Sequence, residues 1–177
     1  LLAFCRASGV SMHHVKPHGA LYNMAAKDEK LARAIVEGIC EVDDRLTLLA
    51  LSGSEMLLAA EKAGLRAASE VFADRGYQAD GTLVPRSKPG AMITDETQAI
   101  ERVVRMVTEG VVTAVDGTDV PLRADSICVH GDGEKALTDT LGVITPWNTA
   151  SDNTTLGAMQ VAQVNTGILP GIHLPTA

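Results

Sequence analysis

His14-Val15-Lys16-Pro17-His18-Gly19-Ala20-Leu21-Tyr22-Asn23 reads as the end of a strand, a sharp turn and the start of a helix. The run into Lys16 is β-type. Pro17 lacks an N–H and has a fixed φ, so it suits a strand exit and not a strand interior. Gly19 lets the chain turn tightly and lets a ligand come close to the backbone. The helix expected from Ala20 would point its free N–H groups at whatever sits beside His18. A lysine, an imidazole and a tight turn so close together describe one wall of an active site.

Outward from that stretch, the chain alternates between two periodicities. Upstream, Leu1 to Ser8 reads as the tail of a helix stopped by Gly9, and Val10 to Lys16 as the first strand. Downstream, Leu31, Ala34, Ile35, Ile39 and Val42 lie on one helical stripe within Leu21 to Val42, with Asp28 to Lys30 on its solvated side. Leu46 to Leu51 is apolar almost throughout, as a strand buried on both faces must be. Ser52-Gly53-Ser54-Glu55 fits a capping box, opening a helix that Gly64 closes. Arg66 to Phe72 is a further strand, followed by a long loop rich in charge, glycine and proline. Loops of that length inside compact domains are commonly functional. Thr94 is expected to cap the next helix, Val111 to Arg123 to form a hairpin around Asp116-Gly117, and Ser126 to His130 a last strand.

Strand, loop and helix in repetition imply parallel strands with helical crossovers, an α/β fold. Lys16 and His18, Glu70 and Asp74, and His130 and Asp132 then all fall at the C-terminal ends of strands. In parallel barrels and open sheets that edge gathers the chemistry. Glu70, Asp74 and Arg75 suit an acid or base with its ion-pair partner, or structural bridges within the loop. His130 and Asp132 can orient one another or contribute to a metal site, although no set of three or four ligands closes from spacing. His13 and His14 point to opposite faces of a strand and cannot both serve one site.

The 177 residues suffice for one substantial core, and with 3% aromatics that core must be aliphatic. A formal charge of −7 with no basic block argues against a nucleic-acid surface, while small anions stay open to a local basic site. Cys5, Cys40 and Cys128 have no metal or redox spacing and read as free thiols of a reducing, cytoplasmic protein. No apolar run approaches the ~18 residues of a membrane span. The chain lacks an initiator Met, so it is expected to begin inside a longer protein. From Ala136 to Ala177 the only charges are Asp139 and Asp152. That change of texture divides the chain into a domain at 1–135 and an atypical segment at 136–177. Neither a P-loop, a dinucleotide-binding glycine motif nor a nucleophile elbow is present.

Three stretches carry a resemblance: HVKPHGALYN at His14–Asn23, EVFADRGYQADGTLVPR at Glu70–Arg86 with Lys88-Pro89-Gly90-Ala91-Met92-Ile93 after it, and CVHGD at Cys128–Asp132. In that order and spacing they resemble the LamB/YcsF family, which supplies the A subunit of bacterial ATP-dependent 5-oxoprolinase. The resemblance implies an incomplete, distorted (β/α) TIM-like barrel with parallel strands, lacking the family's amino-terminal part. It implies a hydrolase opening the lactam of 5-oxo-L-proline to L-glutamate with ATP, with magnesium as its companion ion, beside subunits B and C. Lys16, His18, Glu70, Asp74, His130 and Asp132 are the catalytic candidates; Tyr22, Asn23, Arg75 and Arg86 are the substrate-binding ones. Two other readings keep the fold: a metal-dependent amidase or deacetylase, and a non-catalytic protein that binds a lactam or sugar.

Overall fold

The computed structural model describes residues 1–130 and 164–165. In chain order the elements are α1 (Leu2–Ala7), β1 (His14–Val15), α2 (Ala20–Ala25), α3 (Glu29–Asp43), β2 (Thr47–Leu51), α4 (Glu55–Ala63), β3 (Ala67–Phe72), α5 (Glu96–Thr108), β4 (Val111–Thr113), β5 (Asp119–Pro121), β6 (Ser126–His130) and β7 (Val164–Asn165). One parallel sheet runs β1-β2-β3-β6-β7, and β4 and β5 form an antiparallel hairpin beside it. The sheet curls with helices outside it, half of a TIM-like barrel.

Register decides which residues look inward. His14 pairs with Thr47, Leu51 with Glu70, Glu70 with Ser126 and Phe72 with Cys128. Partners in a parallel ladder share a face and successive residues alternate. Lys16, Leu51, Glu70, Phe72 and Cys128 therefore belong to the concave side. Leu48, Ala50, Val71, Ile127 and Val129 belong to the other, all buried under the helices. There α3 contributes Ala32, Val36 and Ile39, α4 contributes Met56 and Ala60, and α5 contributes Val103 and Met106. Each large side chain in such a core stabilises by roughly 1.5–3 kcal/mol.

Several boundaries differ from the sequence expectation. The helical stripe after Ala20 is two helices, because the Asp28 side chain accepts from the Leu31 N–H at 3.0 Å and restarts the chain as an N-cap. Ser52 and Glu55 form no capping box. Gly53 turns at φ +74°, α4 starts behind Ser54, and the Ser52 hydroxyl instead accepts the Arg123 N–H at 3.0 Å. Asp95, not Thr94, caps α5 by accepting from the Gln98 N–H at 2.8 Å. Only His14 and Val15 of the first strand pair within the sheet. The segment from 136 onward lies outside the described residues except for β7, whose Val164 pairs with Val129.

Two glycines make opposite predictions in the full-length protein. A Cβ at Gly76 would overlap the carbonyl oxygen of Gly90, so Gly76→Ala is expected to lose about 1–3 kcal/mol of unfolding free energy. At Gly38, within α3, a Cβ meets nothing within 4 Å, and Gly38→Ala is expected to gain about 0.4–1 kcal/mol. Urea midpoints read both signs.

Candidate functional site

Glu70 sits inside β3, not beyond it, and its side chain is 0% exposed. Its two oxygens are both engaged. Lys16 Nζ donates to Oε1 at 2.7 Å, and the Tyr22 hydroxyl donates to Oε2 at 2.7 Å. The three groups come from β3, the exit of β1 and the first turns of α2. Pro17, buried, ends the strand; Gly19, at φ 63° and ψ −130°, a backbone region L side chains rarely adopt, starts the helix that brings Tyr22 back over the sheet. The Lys16 ammonium lies 5.3 Å from the Tyr22 ring centroid and 5.0 Å from that of Phe72, and the two rings meet edge to face. Lys16 Nζ also stands 3.5 Å from Cys128 Sγ. Burial, then the charge of Glu70, holds the Tyr22 phenol well above its ordinary pKa. Burial pushes the Cys128 thiol up to about 12, with Lys16 pulling the other way.

Above this floor opens a cavity of about 780 Å³. Lys16, His18, Tyr22 and Asn23 line one side, Leu51, Phe72 and Cys128 the base, and Gln78, Thr82 and Val84 to Arg86 the opposite wall. Among the described residues its lining includes Lys16, Lys27, Arg75 and Arg86 and no carboxylate, in a chain of net charge −7. His18 and Arg86 are exposed at the rim. Asn23 donates to the Gly19 carbonyl at 3.2 Å, tying the turn to its helix. A second cavity, about 660 Å³, lies against Leu57, Leu65 and Ser69 and touches none of the catalytic or substrate-binding candidates.

The far wall is braced by two arginines. Arg75 donates through Nε to the Ala91 carbonyl at 3.1 Å and through Nη2 to the Val84 carbonyl at 2.7 Å. Arg102, from α5, donates to the carbonyls of Ala73 and Arg75 at 3.2 and 3.1 Å and lies over the Tyr77 ring. The Tyr77 hydroxyl accepts the Phe72 N–H at 2.9 Å. Burial lowers the pKa of both guanidiniums, and the charge of Arg86 lowers that of Arg75 further.

Lys16, Tyr22 and Glu70 thus meet directly, and Lys16 and Tyr22 share a cavity with His18, Asn23, Arg75 and Arg86. Asp74 is half-buried near Arg75 and Arg102, outside the cavity lining. His130 ends β6; its side chain and Asp132 lie outside the described residues. Phe72, Cys128 and Arg102 carry no role in the sequence reading. Alternation from Glu70 points to Phe72, but no local pattern marks Arg102. Among the described residues, no group of three or more His, Cys, Asp or Glu side chains is placed to hold a metal ion.

A family model described as the LamB/YcsF family matches residues 1–168. A relative in Clostridium beijerinckii, named as the A subunit of 5-oxoprolinase, is 64% identical over 135 residues, 76% of this chain and 53% of the relative. A relative of the same name in Pyrococcus abyssi is 57% identical over 137 residues, 77% of this chain and 54% of the relative. This chain spans about half the length of the curated relatives it matches. The crystal structure of a lactam utilization protein from Thermus thermophilus superimposes with a TM-score of 0.74 at 40% identity, covering 90% of this chain and 60% of that one.

The buried thiol sets an alkaline limit. Folded Cys128 keeps a proton that the unfolded chain releases near 9.0, so stability falls as pH rises from about 9 toward about 12. This thiol contributes at most about 1.4 kcal/mol per pH unit. Cys128→Ala is expected to flatten the decline, read by denaturant unfolding of the full-length protein between pH 8 and 11.

Proposed function

Because the chain belongs to the LamB/YcsF family, we propose that it forms part of an enzyme that opens the lactam ring of 5-oxo-L-proline to L-glutamate. The observation that carries this reading is the cavity lined by lysine and arginine without a carboxylate, with Lys16 among them held from behind by Glu70. 5-Oxoproline offers one carboxylate and one carbonyl oxygen. Arg86 suits the carboxylate, since a guanidinium can hold both of its oxygens. Lys16 suits the lactam oxygen, where negative charge builds as water adds to the carbon. His18, at the rim, suits the proton traffic: one proton leaves the attacking water and one reaches the ring nitrogen as the C–N bond breaks.

A five-membered lactam is an unreactive amide, and ATP is the proposed source of its activation. The cationic lining is compatible with phosphate as well as carboxylate, and magnesium would accompany the nucleotide. Subunits B and C of 5-oxoprolinase are the proposed partners. The relatives' names, which make each of them one lettered component of that enzyme, support the assignment to a larger assembly.

Glutamate release by the full-length protein with subunits B and C, 5-oxoproline and ATP tests the reading. Arg86→Ala is expected to raise the KM for 5-oxoproline at least tenfold with kcat changed far less. His18→Ala is expected to lower kcat by about 10²–10⁴-fold. Wild-type constants for both variants would remove these residues from the site, and an inactive wild-type complex would remove the lactam substrate.

A further inference from the structure

Glu70 is a catalytic candidate on sequence grounds, yet it is not among the residues lining the cavity. Its side chain has no exposure, and each oxygen already accepts a hydrogen bond at 2.7 Å. Tyr22, a substrate-binding candidate, directs its only O–H proton to Glu70. Lys16 is different: it lines the cavity and its side chain retains 17% exposure. An ammonium has three donors. One serves Glu70, a second meets only the soft, long contact to Cys128 at 3.5 Å, and the third has no protein acceptor among its described hydrogen bonds.

We propose that Glu70 and Tyr22 form a clamp that presents the Lys16 ammonium to a ligand's carbonyl oxygen, with Glu70 a positioning residue acting through Lys16. The lactam identity of that ligand rests on the proposed function; the clamp itself rests on geometry. Each neighbour of Lys16 restricts it in a different way. Glu70 supplies the counter-charge that a largely buried ammonium requires. The Tyr22 and Phe72 rings hold the cation electrostatically at 5.3 and 5.0 Å. Cys128, kept as a thiol by its burial, adds no second anion to compete. The Tyr22 phenol keeps its proton for the same reason, so the Glu70 oxygen it meets stays occupied. A donor fixed in this way is aimed before the ligand arrives.

A double-mutant cycle in the full-length protein with its partner subunits separates positioning from catalysis. Lys16→Met and Glu70→Gln are each expected to lower kcat/KM for 5-oxoproline at least 30-fold. In the Lys16→Met background, adding Glu70→Gln or Tyr22→Phe should cost less than threefold more. Multiplying effects, or wild-type kcat/KM in Glu70→Gln, would overturn the clamp. The same cycle read by urea midpoint does not depend on the substrate. Lys16→Met alone strands a buried carboxylate, so its midpoint should fall, and Lys16→Met/Glu70→Gln should recover most of that fall. Additive midpoint shifts would reject the clamp even if the complex turned out to act on another substrate. Should Glu70→Gln fail to fold, Tyr22→Phe completes the kinetic cycle, and in the midpoint cycle it should deepen the fall of Lys16→Met, because the stranded carboxylate then loses its other donor. An unchanged midpoint would reject the clamp.

Discussion

A carboxylate with no solvent exposure is tolerated in a strand only where counter-charge and hydrogen bonds reach both of its oxygens. Glu70 imposes that condition on the whole concave face. Lys16 must arrive from the exit of β1 and Tyr22 from α2, so the Pro17–Gly19 turn has little latitude in direction or length. The partnership reaches back 54 residues of sequence from Glu70 to Lys16 and 48 to Tyr22. It joins the edge strand of the described sheet to its third strand across β2. Removing one partner leaves an isolated buried charge, whereas the register of β1 on β2 alone rests on only two paired residues.

The opposite wall obeys the same rule with the charges reversed. Arg75 and Arg102 spend their donors on backbone carbonyls, and in doing so fix the loop between Ala73 and Met92 from below and from α5. Gly76 lets the loop pass close to Gly90, and Val115 of the hairpin segment donates to the Tyr77 carbonyl. The hairpin, outside the cavity lining, thereby becomes part of the support for Arg86. Two rigid walls facing each other across a cationic space are what a small anion needs, because little ordering remains to be done on binding.

Much of this is legible from residue patterns because the underlying physics is local. A buried parallel strand must be apolar throughout, so Leu46 to Leu51 announces β2 to within a residue. Asp116-Gly117 announces the hairpin because its turn demands those residues. Lys16, Glu70 and Arg86 stand out as charges beside strand ends and glycine turns. The capping box at Ser52 fails because Gly53 can turn the chain before a helix forms, and a four-residue pattern does not report that choice. The bracing duties of Arg75 and Arg102 are not legible at all. Whether a guanidinium meets a carbonyl or a cavity depends on residues up to 29 positions away.

The clamp also bears on how a lysine can act on a ligand in a protein of net charge −7. A mobile lysine on such a surface would be drawn among many carboxylates, each partly screening it. Lys16 instead has one carboxylate, buried behind it, and two aromatic faces beside it. Its charge is compensated on the side away from the cavity, so the pair presents to a ligand a dipole with its positive end outward. A neutral amide oxygen gains modestly from that field, and an oxygen acquiring negative charge gains more, which is the difference that lowers a barrier. On the proposed reading, the buried Glu70 therefore does more than keep Lys16 in place: it directs the lysine's field toward the cavity that a lactam would enter.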